Sequence, residues 1–281
     1  MTFHEKMKKF HDMVIQELKE NRSTFLVYTG MRLLILGILI LQIFNGNFEN
    51  VFLCILTLGL MIVPSVVQAT FKVEFPSLLE VIILCFIFAA EILGEISAFY
   101  IKFPYWDTIL HTINGFLCAA IGFSLVDIMN RESRIQFELS PLFMAITAFC
   151  FSMTIGVLWE FFEFAVDSIC GLDMQKDTVI TAIHSTYLDP TKSNHCVDFL
   201  NIIKVEIEGN QLGVQGYLDI GLIDTMYDMI VNFIGAFSFS VLGYIYVKKR
   251  DATSLIKGLI PKPWSKEKRV ESTKDNKKKE E

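Results

Sequence analysis

Six stretches of this chain, 25–44, 51–68, 78–100, 106–129, 141–166 and 220–247, are each long and apolar enough to cross the hydrocarbon core of a bilayer. No other feature constrains the fold so strongly. In lipid every backbone N–H and C=O must be satisfied within its own segment or a closed barrel, and runs of this length are helices. Charged residues still make up 20% of a chain that is 52% hydrophobic, so the apolar excess is concentrated in these runs. The expected fold is therefore all-α, a polytopic membrane protein built as a six-helix transmembrane bundle. A net charge of −6 excludes a nucleic-acid binder as the main body. The first run is not a cleaved signal, because a charged, helix-compatible stretch precedes it and no small-residue cleavage site follows.

Lysine and arginine set the orientation. With the N-terminus inside, the inner side receives twenty Lys/Arg and the outer side four, namely Lys102, Lys176, Lys192 and Lys204. Both termini are expected in the cytoplasm and the protein in the plasma membrane. Residues 1–24 place Phe3, Met7, Phe10, Val14 and Leu18 on one helical stripe, as in a helix lying on the inner membrane surface or docking a partner. The membrane domain is 25–247, and the basic tail 248–281 reads as solvated and disordered, with some attraction for anionic lipid.

The segment 169–219 is the one large extracytoplasmic loop. Ile203, Val205 and Ile207 alternate with Lys204, Glu206 and Glu208 before a turn at Gly209-Asn210, and a second alternating run reaches Tyr217. That pattern predicts a small β-hairpin, and the loop is expected to cap the outer face. Cys54, Cys85, Cys118 and Cys150 lie in spans, where packing explains them. Cys170 and Cys196 both lie in the loop, and a disulfide or two free thiols are equally compatible with that placement. His184 and His195 read as solvent-exposed, with His195 beside Cys196 the one possible ligand pair there.

Ionisable residues inside spans are costly, and each is a functional candidate. The third span holds Glu91 and Glu95, and the fourth opens with Trp106, Asp107, His111, Asn114 and Gly115. The fifth closes with Trp159, Glu160, Glu163 and Asp167, and the sixth opens with Asp224, Asp228 and Asn232. Spacings of three or four put the members of each set on one helix face. Spans three and five run outward and carry their acids late, whereas spans four and six run inward and carry theirs early. All four sets therefore fall in the outer half of the membrane, with Glu95, His111, Glu160 and Glu163 roughly 8–12 Å below the boundary at about 1.5 Å per residue, Asp228 at roughly 12 Å, and Asp107, Asp167 and Asp224 nearer the surface.

Eight carboxylates face each other there, and only Lys102 stands at that end to balance them. Coulomb repulsion in a medium of reduced dielectric does not allow eight such charges together, so some are protonated or a cation sits among them. Oxygen ligands and one imidazole favour a divalent metal ion, Mg²⁺, Mn²⁺, Ca²⁺ or Zn²⁺. The candidate metal ligands are Glu95, Asp107, His111, Glu160, Glu163, Asp224 and Asp228, with His111 or Glu163 as general base. Arg32, Glu80 and Asp127, toward the inner ends of their spans, read as structural.

The blocks WDTILHTINGF, GVLWEFFEFAVD and YLDIGLIDTMYDMIVNFIGA resemble those of the YjdF-like family of uncharacterised bacterial integral membrane proteins. The likeness covers spans three to six, and the aspartate-rich sixth span is more distantly similar to VanZ-like membrane proteins. The resemblance implies a bacterial plasma-membrane protein and a shared site at Asp107, His111, Glu160, Asp224 and Asp228, and it supplies no substrate. The family's loop between the last two spans is short, so the loop here departs from it.

At headgroup depth, an acidic metal cavity fits an enzyme acting in the outer leaflet on a lipid or lipid-linked headgroup, by hydrolysis or group transfer. Membrane lipids are the expected partners, and nucleic acid is not. A cation or proton-coupled transporter could use the same acids, although the inner halves of spans four to six are apolar. A structural or partner-binding protein would leave the acids unexplained.

Overall fold

The computed structural model describes residues 22–71, 73–132, 139–249 and 258–263. The N-terminal stripe before residue 22 and the tail beyond residue 263 lie outside them. Six helical segments are long and apolar enough to cross a membrane: Phe25–Asn45, Phe48–Phe71, Ser77–Ile96, Trp106–Asn130, Pro141–Cys170 and Leu222–Lys248. Each expected span is present, with its ends moved by a few residues. The protein divides into two compact units, one formed by Met1–Ile155 and Val231–Glu281, the other by Gly156–Ile230.

In the larger unit, α1 (Arg22–Asn45) is followed by a second span in two pieces, α2 (Phe48–Leu60) and α3 (Val63–Phe71). Pro64 lies in the first turn of α3, where its missing N–H and its ring interrupt a ladder that the sequence reads as continuous. The third span was expected as one helix through residue 100. It runs instead as α4 (Ser77–Phe88) into a π-helical stretch, Ala89–Ile96, and stops. Ser97 N–H donates to Ile92 O at 3.0 Å, a wide-turn bond, and Ala98 adopts a left-handed φ of 58° before the short α5 (Phe99–Lys102). A π turn inserts one extra residue and is most often kept where side chains must be re-aimed.

Helix α6 (Trp106–Glu132) packs with the first half of α7 (Pro141–Cys170) and the later part of α8 (Leu222–Lys249) around Ala119, Ala120, Phe123, Met144, Ala148, Ala236 and Phe239. Glycines set the spacing. A Cβ at Gly115 would lie 2.1 Å from Asn232 O, and one at Gly235 would lie 2.0 Å from Thr112 O, so α6 and α8 touch backbone to backbone. A second core joins α1, α2, α4 and the π stretch through Ile35, Cys54, Met61, Leu84, Ile87 and Ile92.

The tail is not wholly solvated. Ile260 is buried with the α6 and α8 core, and Lys262–Pro263 (β8) pairs antiparallel with Val73–Glu74 (β1). Ile260 supplies enough apolar surface to hold a segment that the surrounding lysines mark as free.

In the smaller unit, α7 ends at Cys170 and a strand-rich segment leads to α8. Four short strands form two ladders, β2 (Val179–Ile180) with β7 (Tyr217–Leu218) and β3 (Ile183–Ser185) with β4 (Val197–Phe199). The predicted hairpin is there, but it is shorter and shifted: β5 (Glu206–Ile207) pairs with β6 (Asn210–Gln211). Its turn is Glu208-Gly209, at φ of 50° and 81°, in place of Gly209-Asn210. Positive φ at both central positions is the mark of a type I′ turn, and it goes with the pairing of Ile207 opposite Asn210. The run toward Tyr217 pairs with β2 instead. Cys170 and Cys196 are free thiols, so no disulfide joins them.

Candidate functional site

The first two turns of α6 carry the imidazole. His111 Nε2 lies 3.5 Å from Asp107 Oδ1, one turn apart on the same face. One turn further, Asn114 Nδ2 donates to Asn232 Oδ1 at 3.4 Å, and the Asn232 amide also reaches Met153 Sδ at 3.6 Å. Asn232 is 1% exposed, so these contacts satisfy a polar group that would otherwise be stranded. Ser152 Oγ donates to Gly115 O at 2.7 Å and fastens α7 to the same level.

The start of α6 is held by aromatic rings and by the third span. Phe99, Phe103 and Trp106 pack edge to face, and Trp106 Nε1 donates to Ala89 O at 3.3 Å, at the first residue of the π stretch. That bond ties the turn bearing Asp107 to the segment bearing Glu91 and Glu95. Glu91 is 3% exposed, and its Oε2 is buried without a hydrogen-bond partner. Sequence reasoning noted Glu91 but did not choose it as a ligand. The π turn that buries it leaves no signal in the periodicity beyond the small residues Ala89, Ala90 and Gly94.

In the smaller unit the acids separate into two groups. Asp167 accepts from Met174 N–H at 2.6 Å and Gln175 N–H at 2.9 Å, and Asp224 Oδ2 accepts from Lys176 N–H at 2.7 Å. Asp219 takes Thr178 N–H and Ile223 N–H, both at 2.7 Å. These three carboxylates clamp residues 174–178 to the end of α7 and the start of α8, a use that spacing alone does not reveal. One turn deeper, Glu160, Glu163 and Asp228 are 5%, 8% and 4% exposed, and Trp159 Nε1 donates to Glu163 Oε1 at 2.8 Å. Glu160 and Glu163 lie on α7 within two turns of Asp167, and Asp228 lies on α8 one turn beyond Asp224. Of the expected ligands, Asp107 and His111 meet directly, Glu95 sits on the neighbouring π stretch, and Asp224 has one oxygen committed to backbone.

The strand-rich segment contains polar constructions of its own. Asp189, 6% exposed, accepts from Thr191 N–H and Oγ, from Ser193 N–H and from His195 N–H. The Thr191 hydroxyl, followed by these amides, pulls its pKa down to about 2. Asp177 shifts the other way, raised by burial and then by Asp173, Asp219 and Asp167. On the β3–β4 ladder His184 Nδ1 lies 2.7 Å from Asp198 Oδ1, and this bond holds the Asp198 carboxyl below its ordinary range. Cys196 Sγ donates to the same oxygen at 3.6 Å.

A family model described as Predicted membrane protein (DUF2238) matches residues 27–249. The chain belongs to this family. The match takes in all six spans, and it agrees with the resemblance to an uncharacterised membrane family drawn from the three sequence blocks. An uncharacterized protein of Thermotoga maritima is 29% identical over 106 residues, which is 38% of this chain and 53% of that protein. The chain thus spans about half the length of this relative. No solved structure matches.

Proposed function

We propose that this member of the family is a membrane-embedded enzyme that uses a divalent cation to act on a lipid or lipid-linked headgroup in the outer leaflet, by hydrolysis or group transfer. The observation that carries it is the Asp107–His111 pair at the first turns of α6, held in register with α8 by the Asn114–Asn232 bond. Asp107 and His111 supply an oxygen and a nitrogen, a donor pair suited to a divalent ion. Glu160, Glu163 and Asp228, buried acids of the smaller unit, are further ligand candidates that the sequence offers. The orphaned Glu91 oxygen supports the reading, since a buried acceptor with no donor calls for a positive partner.

Such an ion would neutralise a headgroup phosphate oxygen and acidify water. The protein's own part is positional. Asp107 orients the His111 ring, Trp159 N–H fixes Glu163, and either residue then stands ready to take a proton from the attacking group. Against a transport pathway stands the packed core of Ala119, Ala120, Phe123 and Phe239 farther along α6 and α8, each at most 1% exposed.

The test is metal content and thermal stability of purified protein in lipid nanodiscs, with headgroup release measured on defined phospholipids and lipid phosphates. Bound metal, destabilisation by chelator, and loss of both metal and turnover in Asp228→Asn and His111→Ala are expected. A metal-free protein that becomes more stable in Asp228→Asn and Glu160→Gln would overturn the proposal in favour of a proton-linked transporter.

A further inference from the structure

We propose that His184, Cys196 and Asp198 form a zinc-type metal site on the β3–β4 ladder, separate from the acids of the spans. The ladder register sets His184 directly opposite Asp198. Cys196 precedes Asp198 by two residues, and side chains two apart on an extended strand share a face. Their ligating atoms all lie within 4.8 Å of one another. Tetrahedral bonds of about 2.0–2.3 Å place ligand atoms roughly 3.4–3.6 Å apart. The Cys196–Asp198 separation of 3.6 Å already fits this spacing. The His184–Asp198 separation of 2.7 Å is that of a shared proton. It must widen by about 0.7 Å to admit an ion, a change within reach of side-chain torsions at an exposed pair.

The donor set decides the kind of ion. Thiolate, imidazole and carboxylate together select borderline or soft divalent metals, with Zn²⁺ first and Co²⁺ as its spectroscopic stand-in, over the hard Mg²⁺ and Ca²⁺. His184 and Asp198 are 60% and 51% exposed, so the ion has a path from solvent and a fourth position stays open to water or another ligand. The connection between the strands is held before any ion binds. Buried Asp189 gathers the Thr191, Ser193 and His195 amides, and Lys192 and Asn194 take left-handed φ of 54° and 64° around it. His195 N–H is the last of these bonds, and Cys196 is the next residue. The thiol therefore leaves a fixed turn, which lowers the ordering entropy that binding would otherwise have to overcome.

The experiment uses the full chain in detergent, carrying Asp107→Asn, His111→Ala and Asp228→Asn so that only this site is read. Zn²⁺ titrated against a chromophoric chelator should show one equivalent bound. Removal of a ligand exceeds the roughly 10–100-fold loss typical of changes just outside a metal's ligand shell, so His184→Ala and Cys196→Ser should lower affinity by more than about 100-fold. Asp189→Ala should lower it by about 10-fold through loss of positioning. Co²⁺ should give a near-ultraviolet thiolate charge-transfer band that Cys196→Ser abolishes and Cys170→Ser leaves in place. The band is a readout that a merely structural hydrogen-bond cluster would not give. Equal Zn²⁺ affinity in parent and Cys196→Ser, or a Co²⁺ complex without that band, would overturn the site.

Discussion

Asp167, Asp219 and Asp224, at the junctions of α7 and α8 with the segment between them, give their oxygens to backbone amides. Asp107, in an equivalent first turn of α6, faces an imidazole instead. Both kinds of acid sit at helix ends at intervals of three or four, and in the sequence they look the same. The difference separates carboxylates bonded to backbone amides from a carboxylate paired with a side chain, the kind that the proposed metal site would use. Asp167 and Asp219 have both oxygens bonded to backbone N–H groups and Asp224 has one, whereas in the proposed site Asp107 would exchange its imidazole partner for an ion.

The largest effect should come from breaking the first kind. Asp167→Ala strands two part-buried amides, each worth about 1.5–3 kcal/mol when bonded to a charge. Thermal unfolding should therefore fall by at least about 3 kcal/mol, with early proteolysis near residues 171–178, whether or not metal is present. The second kind should behave oppositely. Asp107→Asn should change metal-free stability by less than about 1 kcal/mol. It should remove the stabilisation that an ion at 100 times its Kd would give, about 2.7 kcal/mol. Equal losses with and without metal in Asp107→Asn would erase the distinction.

Between these lies Asp189, a backbone clamp in the strand-rich segment, and it sharpens the comparison through pH. Its folded pKa of about 2 is below the ordinary aspartate value, so its stabilising effect is complete above about pH 4 and disappears as the pH falls toward 2. Hydrogen exchange should show Thr191, Ser193 and His195 amides protected down to about pH 4 and opening below it. In Asp189→Asn that opening should no longer depend on pH. The smallest effect belongs to the exposed His184–Asp198 pair, where Asp198→Asn without metal should shift stability by less than about 1 kcal/mol in a melting experiment.

The spans were legible because bilayer crossing imposes length and apolarity on contiguous residues, which a linear reading detects directly. Their interruptions were less so. Pro64 is visible in the sequence, yet a proline near a helix start and one that divides a span look identical until the neighbouring turn is seen. The π stretch shifts the register by one residue, an offset that AAEILGEI does not display. The candidate acids were found by their cost in lipid, and the Asp107–His111 pair followed from i, i+4 spacing. The clamps of Asp167 and Asp224 did not, because their partners are amides of residues 174–176, which carry no chemical mark. His184 and Asp198 were hidden for a related reason. Strand pairing across an eleven-residue connection has no local signature, and the Gly209 turn drew attention to the neighbouring hairpin instead.

The glycine contact between α6 and α8 has a mechanical consequence. With Gly115 against Asn232 O and Gly235 against Thr112 O, neither helix can slide or roll past the other without a carbonyl in its way. Tilting remains, and the contact is then a fulcrum with Asp107 at the end of a lever arm eight residues, or about 12 Å, long. A tilt of about 5° over that arm carries Asp107 by about 1 Å, several times the roughly 0.2 Å tolerance of a metal–ligand bond. Angular changes too small to disturb the apolar core would therefore be enough to make or break a ligand bond at Asp107 in the proposed metal site.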